Sequence, residues 1–535
     1  MTVSVSMPNK NILLIEPGYK NKYPPLGLMK LAAYHGPYGK RDNVRLIKGD
    51  ADRSVFDVKW DRIYVTTLFS FEWREIARSI NHALEIARGN ANKVFVGGIA
   101  ASLMHEQFVA EAGWRGIRFI KGLLSEAPAV SLQLDEFEEE LYADDRHGTP
   151  IEDLVPDYSI LEDILSEYQY PVHDAYFTYA SRGCVRKCHF CGVPKLEGDQ
   201  RDAQSISALV RAIDERHGVK RDLMLMDNNV VASENYKNII AEIRDLGFVP
   251  GAKLQRPGKP AVQRRVDFNQ GVDARILCKD PMYLREMSTI CLKPLRIAFD
   301  HIGVRKPYEQ AIRYAHEFGM HELSNYMLYN FKDSPEDLYQ RMRLNIDLNE
   351  SLNIRIFSFP MRYQPTDMKE RTHIGQKWNR YYLRSMQVIL QATHGIVSGS
   401  PDFFKRAFGD GSEAFETLLL RPERYLFNRR WYEELDGKAE FEDFQVRFKR
   451  LSESDREELV VLLSDSSPST HGSQVSAASS QTVRDILPYY QALSKYEEAL
   501  IWKSMKQRQL ERATTAVPNI PEDELVEDAG LSEAI

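Results

Sequence analysis

The sequence predicts an α/β fold, from three observations. Short apolar strand patterns alternate with amphipathic helices in two successive series, the alternation stops after Tyr363, and three cysteines sit on the loop behind the first strand of the second series. The expected architecture is an N-terminal doubly wound parallel sheet domain, a partial (βα)6 barrel and a C-terminal mainly helical segment.

The first series opens with NILLI (residues 11–15), a continuous apolar run followed by the turn EPGYKNKYPPLG and the helical LMKLAAYHG. VRLIKG from Val44, DRIYVTTLF from Asp61, NKVFVGG from Asn92 and IRFIKG from Ile117 read as further strands, with the helix WREIARSINHALEIARG between two of them. Such alternation implies a parallel sheet wrapped by helices. Ligands on these sheets bind beyond the carboxyl ends of the strands, where the EPGY loop, Thr66, Thr67, Gly97 and Gly98 fall.

The second series contributes six strands, AYFTYAS from Ala175, DLMLMD from Asp222, VDFNQG from Val266, LRIAFD from Leu295, NYMLYNF from Asn325 and IRIFSFP from Ile354. Helices such as SISALVRAIDERHG, SENYKNIIAEIRDLG and SPEDLYQRMRLNIDLNES separate them, several with Ser expected at the N-cap. Six βα units imply an incomplete barrel. The expected divisions are residues 1–134 for the first domain, 135–172 for an acidic linker and 173–375 for the barrel. A helical region with a Ser-rich connection follows over 376–510, and 511–535 read as an acidic disordered tail.

Composition narrows the function classes. A chain of 535 residues with 43% hydrophobic and 27% charged residues is an ordinary multi-domain globular protein. Its net charge of −7 supplies no global field toward nucleic acid or anionic lipid. The start, MTVSVSMPNKNILLIEPGY, lacks a basic n-region and a long apolar run, so the expected location is cytoplasmic, with no membrane partner. Five cysteines are too few for a disulfide framework in a chain this long.

Three of the five, Cys184, Cys188 and Cys191, stand in SRGCVRKCHFCGVPK with C-x3-C-x2-C spacing. That clustering points to a shared metal or cluster. Zinc is one candidate, with His189 as fourth ligand, although His189 is wedged between two of the cysteines. An iron–sulfur cluster is the other; three thiolates leave one iron of a four-iron cluster open for chemistry.

SRGCVRKCHFC resembles the signature of the radical S-adenosylmethionine (SAM) superfamily, with Phe190 at the aromatic position before the third cysteine. The resemblance implies a [4Fe-4S] cluster held by Cys184, Cys188 and Cys191, with SAM chelated to the open iron and cleaved to start radical chemistry. It also implies a small electron-donor protein of the flavodoxin or ferredoxin type as partner. In MDNN, Asp227, Asn228 and Asn229 resemble the strand-end motif that contacts the SAM amino group; a helix N-cap turn is the alternative. FNQGVDAR brings Gln270, Asp273 and Arg275 to the end of the third strand, where Arg275 would hold the SAM carboxylate or pair with a neighbouring acid. Asp300, His301 and the polar residues of FPMRY are candidates for substrate contact, and the leftover Cys278 and Cys291 read as small buried residues or as groups near the barrel mouth.

The first domain, by its EPGYKNKYPPLGLMKLAAY and VFVGGIAAS segments, resembles the cobalamin-binding domain of the B12-dependent branch. That implies cobalamin with its tail along Gly97 and Gly98, and methyl transfer as one outcome; the alternatives are a degenerate domain and direct hydrogen abstraction. No D-x-H-x-x-G motif is present, and KGLLSEA replaces the acidic glycine turn usual after the fifth strand. A reading of a different class also stands: a non-catalytic, metal-stapled protein that contacts RNA through KLQRPGKPAVQRR and FNRRWY.

Overall fold

Apolar residues on both faces put β1 (Asn11–Glu16) in the middle of a sheet rather than at its rim, and its Ile12, Leu13, Leu14 and Ile15 are fully buried. It pairs in parallel with β2 (Asn43–Lys48) and β3 (Arg62–Thr67), and β3 pairs with β4 (Val94–Gly98), which pairs with the two-residue β5 (Arg118–Phe119). The order β2-β1-β3-β4-β5 reverses direction between β1 and β3, the switch point at which such sheets open a crevice. The helix Trp73–Ile86 lays Ile76, Ile80, Ala83 and Ile86 on the sheet.

A computed structural model of the chain describes residues 9–124, 150–397, 399–466 and 470–515. The first part of the expected acidic linker (135–149), the end of KGLLSEA (125–127), three residues of the Ser-rich connection (467–469) and the acidic tail from 516 onward lie outside the described residues.

The second series begins with β6 (Ala175–Thr178), followed by β7 (Ser181–Arg182) and β8 (Arg201–Asp202), a short antiparallel ladder. β9 (Asp222–Leu225) lies between β6 and β12 (Val266–Phe268), parallel to both, and a small hairpin, β10 (Lys253–Leu254) with β11 (Val262–Gln263), precedes β12. Parallel bridges at Val266↔Leu292 and Val272↔Ile297 carry the pattern on to β13 (Leu295–Arg296), which pairs in parallel with the start of β14 (Glu322–Tyr329). β15 (Arg355–Arg362) is the neighbour of β14. All six strands expected from the sequence are present, with β14 starting three residues earlier than its apolar run suggested.

The chain divides into two compact units. The first comprises Met1–Ala298, Lys306–Ser324 and Gln364–His373; the second comprises Phe299–Arg305, Asn325–Tyr363 and Ile374–Ile535. In the first, helices Ile206–His217 and Tyr236–Asp245 cover the parallel strands; Ser205 caps the former, whereas the latter starts at Asn235 with no side-chain cap, and Ser233 donates to Asp202 while accepting the Asn235 N–H at 3.0 Å. The second is mainly helical. Its Asn379 caps the helix Arg380–Ala392, and Tyr381, Tyr425, Phe444, Leu459 and Leu487 are part of its core. Within it Arg341 is wholly buried, bonded to Asp337 and Asp333 and to the carbonyls of Phe299 and Leu328. Among the described residues no helix is long and apolar enough to cross a membrane.

Candidate metal centre

β6 carries the chain to the end of the sheet, and the β7/β8 ladder sets the two ends of the following loop side by side. Gly183 stands immediately before the first cysteine at φ +73°, where a Cβ would lie 2.1 Å from the Asp199 carbonyl oxygen, so only glycine fits. The Cys184 N–H points to the Gly198 carbonyl at 3.4 Å, and Cys191 N–H donates to the Cys188 carbonyl at 3.1 Å, closing a turn before the helix Val193–Leu196.

Cys184, Cys188 and Cys191 are half-buried. Backbone N–H groups two residues further on reach two of the sulfurs, Arg186 to Cys184 Sγ and Val193 to Cys191 Sγ, each at 3.4 Å. Such donors stabilise a thiolate ligand and tune a cluster held by it. Among the described residues no three His, Cys, Asp or Glu side chains gather around a single ion, and His189 points into solvent on an exposed position. A donor set of three half-buried thiols with amide support fits an iron–sulfur cluster.

The strand ends close on this loop. Asp227, 2% exposed, accepts from the Ala180 N–H (2.9 Å), the Ser181 N–H (2.5 Å) and the Ser181 hydroxyl (2.6 Å). Burial pushes its carboxyl up to about 6 against those three bonds. The Asn228 amide donates to Glu197 at 3.0 Å, and the same Glu197 accepts from the Gly183 N–H at 2.8 Å and lies 3.2 Å from Arg182. Asn229 accepts the Asp273 N–H at 3.2 Å, while its Nδ2 is buried without a partner among the described residues.

Asp273 caps the short helix Ala274–Leu277 and takes bonds from Arg275 Nε (2.8 Å) and Arg275 Nη2 (3.1 Å), so Arg275 does pair with a neighbouring acid. It also accepts from Arg186 Nε at 2.6 Å, and these donors hold its carboxyl below the usual range despite burial. Gln270 is exposed on the turn behind β12, and Phe190 is half-buried. Glu197, Arg182 and Arg186 are functional neighbours that motif reading passed over. The two arginines lie inside the quoted motif, but only the fold reveals their partners.

At the edge of the N-terminal sheet Gly98 has φ +107°, and a Cβ there would come within 2.4 Å of the Thr67 carbonyl. Close approach of β3 therefore explains this glycine. Thr67 Oγ1 donates to the Gly97 carbonyl and accepts the Ala101 N–H, both at 2.9 Å, and Ser102 Oγ bonds the Gly98 carbonyl at 2.8 Å. At the carboxyl ends of β1 and β2 the buried Glu16 binds Lys48 (2.8 Å), Asn21 (2.5 Å) and the Tyr170 hydroxyl, with the Lys48 ammonium over the rings of Tyr19, Tyr168 and Tyr170.

The remaining candidates are dispersed. In KLQRPGKPAVQRR, Arg256 forms two 2.7 Å bonds with Asp174 at the amino end of β6, and Arg264 lies 3.7 Å over the Phe248 ring, so this stretch is a hairpin strapped to the end of the sheet opposite the cysteines. Cys291 is buried and its thiol pushed up to about 11 by burial; Cys278 is half-buried. Asp300, half-buried, and His301, exposed, belong to the second unit.

No protein-family model matches the chain, and no curated protein matches it in sequence. Among solved structures, it is similar to the radical S-adenosylmethionine methyltransferase TsrM from Kitasatospora setae with cobalamin and [4Fe-4S] cluster bound, at 15% identity and TM-score 0.42, over 68% of this chain and 77% of that one. The same enzyme with tryptophan substrate and a SAM analogue bound gives a TM-score of 0.43 at the same identity, over 68% of this chain and 75% of that one. The chain is also similar to SuiB from Streptococcus suis bound to S-adenosylmethionine, at 14% identity and TM-score 0.26, over 41% of this chain and 47% of that one.

Proposed function

We propose that the chain is a radical SAM enzyme. In this reading β6, β9, β12, β13, β14 and β15 form a partial (βα)6 barrel, and Cys184, Cys188 and Cys191 hold a [4Fe-4S] cluster at its mouth. The observation that carries the reading is the C-x3-C-x2-C loop at the carboxyl end of the first parallel strand, with amide N–H groups directed at two of its sulfurs. When bound, the cluster supplies one electron for reductive cleavage of SAM to methionine and a 5′-deoxyadenosyl radical.

The chain's own residues build the cradle. Gly183 permits the turn into the loop, Glu197 ties that turn to Asn228, and Asp273 anchors Arg186. The buried Nδ2 of Asn229 suits an acceptor on SAM, a carboxylate or ribose oxygen. A small electron-donor protein of the flavodoxin or ferredoxin type completes the system. Cobalamin along Gly97 and Gly98 would make methyl transfer the outcome of this chemistry; without it the outcome is direct hydrogen abstraction.

Anaerobic reconstitution tests the proposal. The protein should turn brown, absorb broadly at the violet end of the visible spectrum and release 5′-deoxyadenosine from SAM under reductant; Cys184→Ala should abolish both. A colourless zinc protein that leaves SAM intact overturns it.

A further inference from the structure

The second unit contains a cavity of about 460 Å³ lined by Arg406, Arg429, Arg430, Glu433 and Glu434. Two helices frame it, Pro401–Phe408 and Arg429–Glu434, the latter starting within FNRRWY. Nothing in the radical chemistry proposed above uses these residues.

Its charges do not balance. Glu433 is engaged by Arg421 at 3.1 Å, and Glu434 lies 3.6 Å from Arg430. Among the described residues neither Arg406 nor Arg429 has a carboxylate partner. Arg429 instead spends its two terminal nitrogens on the carbonyls of Arg406 and Ala407, the second at 3.1 Å. Those carbonyls satisfy its hydrogen bonds, and Glu433, already paired with Arg421, offsets its charge only in part. Four guanidinium groups thus meet two carboxylates, and Arg430 Nη2 is buried with no partner among the described residues. Burial, and after it the positive charge of Arg421, push Arg429 down to about 10 against the attraction of Glu433. A partly desolvated cation without an anion is unfavourable, and a bound anion relieves it.

We propose that this cavity is a binding site for the phosphate group of a small phosphorylated ligand, held by Arg406, Arg429 and Arg430. Guanidinium forks match phosphate oxygens in geometry as well as charge. The volume suits a small molecule. A nucleic-acid strand is disfavoured by the net charge of −7 and by the strapping of the other basic stretch, KLQRPGKPAVQRR, onto Asp174.

Calorimetric titration of the full-length protein with inorganic phosphate and with pyrophosphate tests the site. Saturable single-site binding is expected, weakened about tenfold in Arg406→Gln and again in Arg430→Gln, each of which removes a charge-assisted bond. Lys405→Gln, whose side chain pairs with Asp410 outside the cavity, should bind as the wild type does. Thermal unfolding of each variant without ligand separates loss of binding from loss of folding. Absence of saturable binding up to about 10 mM overturns the proposal, as does equal affinity in the well-folded Arg406 and Arg430 variants. Binding of a single-stranded RNA that is tighter than pyrophosphate and falls steeply with salt would reassign the surface to nucleic acid.

Discussion

Arg186, between the first two cysteines, donates its Nε–H to Asp273 at 2.6 Å and so joins the middle of the cysteine loop to the first turn behind β12 across 87 residues of chain. The same carboxylate caps the helix Ala274–Leu277 and holds Arg275. Removing it with Asp273→Ala should cost roughly 0.5–2 kcal/mol through the lost cap and weaken cluster retention roughly 10–100-fold, as losses around a metal site do. Iron and sulfide content after anaerobic gel filtration, read beside urea unfolding, checks this. Full iron retention in the variant would show that the Arg186 anchor does not position the loop.

The cysteines should separate cleanly by role. Cys184→Ala removes a half-buried loop thiol and should abolish iron binding while shifting stability by about 0.5 kcal/mol or less. Cys291→Ala, in contrast, should keep its iron and lose about 1 kcal/mol, because Cys291 is a buried packing residue. Iron analysis paired with chemical denaturation distinguishes the two patterns.

Gly97 and Gly98 provide a test of what the N-terminal edge is for. Gly98→Ala meets the Thr67 carbonyl at 2.4 Å with positive φ and should destabilise the ligand-free protein by about 2–4 kcal/mol. At Gly97 the nearest atom is Ile120 Cβ at 3.8 Å, so Gly97→Ala should change stability by about 1 kcal/mol or less. Protein expressed with a supply of corrinoid decides between the two outcomes: a stoichiometric corrinoid spectrum after purification supports cobalamin-assisted methyl transfer, and its absence supports direct hydrogen abstraction.

Asp267 and Arg296 form a buried bidentate pair at 2.8 and 2.7 Å, joining β12 to β13. Arg296→Met alone should cost about 3–5 kcal/mol, since it strands a buried carboxylate. Adding Asp267→Leu should recover most of that loss. A double-mutant cycle by urea unfolding measures the coupling, and simple additivity would contradict it.

Asp227 should impose a pH dependence. Its folded value of about 6 lies above the unfolded value near 3.8, so the fold favours the protonated acid. The stabilising contribution is complete below about pH 4 and disappears as pH rises to about 6 and beyond. Relative to wild type, Asp227→Asn should therefore gain stability between pH 4 and 7, by roughly 3 kcal/mol at most. Parallel pH profiles for the two proteins would count against this assignment.

Local pattern was sufficient for much of the molecule. The apolar runs of β1, β6 and β9 declare themselves as strands because they are buried without interruption, and β15 because its burial alternates, while Ser205 and Ser334 announce helix starts through short-range capping. The helix from Tyr236 has no side-chain cap, and Ser233 before it turns its hydroxyl to Asp202, 31 residues away, while accepting the Asn235 N–H. The two-residue ladder β7/β8 carried no signal, because so short a strand has no period to detect.

Ligand spacing on one loop is a property of adjacent residues, and so Cys184, Cys188 and Cys191 could be singled out from the chain alone. The role of Asp227 as a clamp on Ala180 and Ser181, the use of Arg275 on Asp273, the hub at Glu197 and the joining of Glu16, Lys48 and Tyr170 were settled by tertiary packing. Each of these joins residues far apart in sequence. Which partner a buried charge chooses depends on what the fold brings within about 3 Å of it, a distance that neither composition nor periodicity encodes.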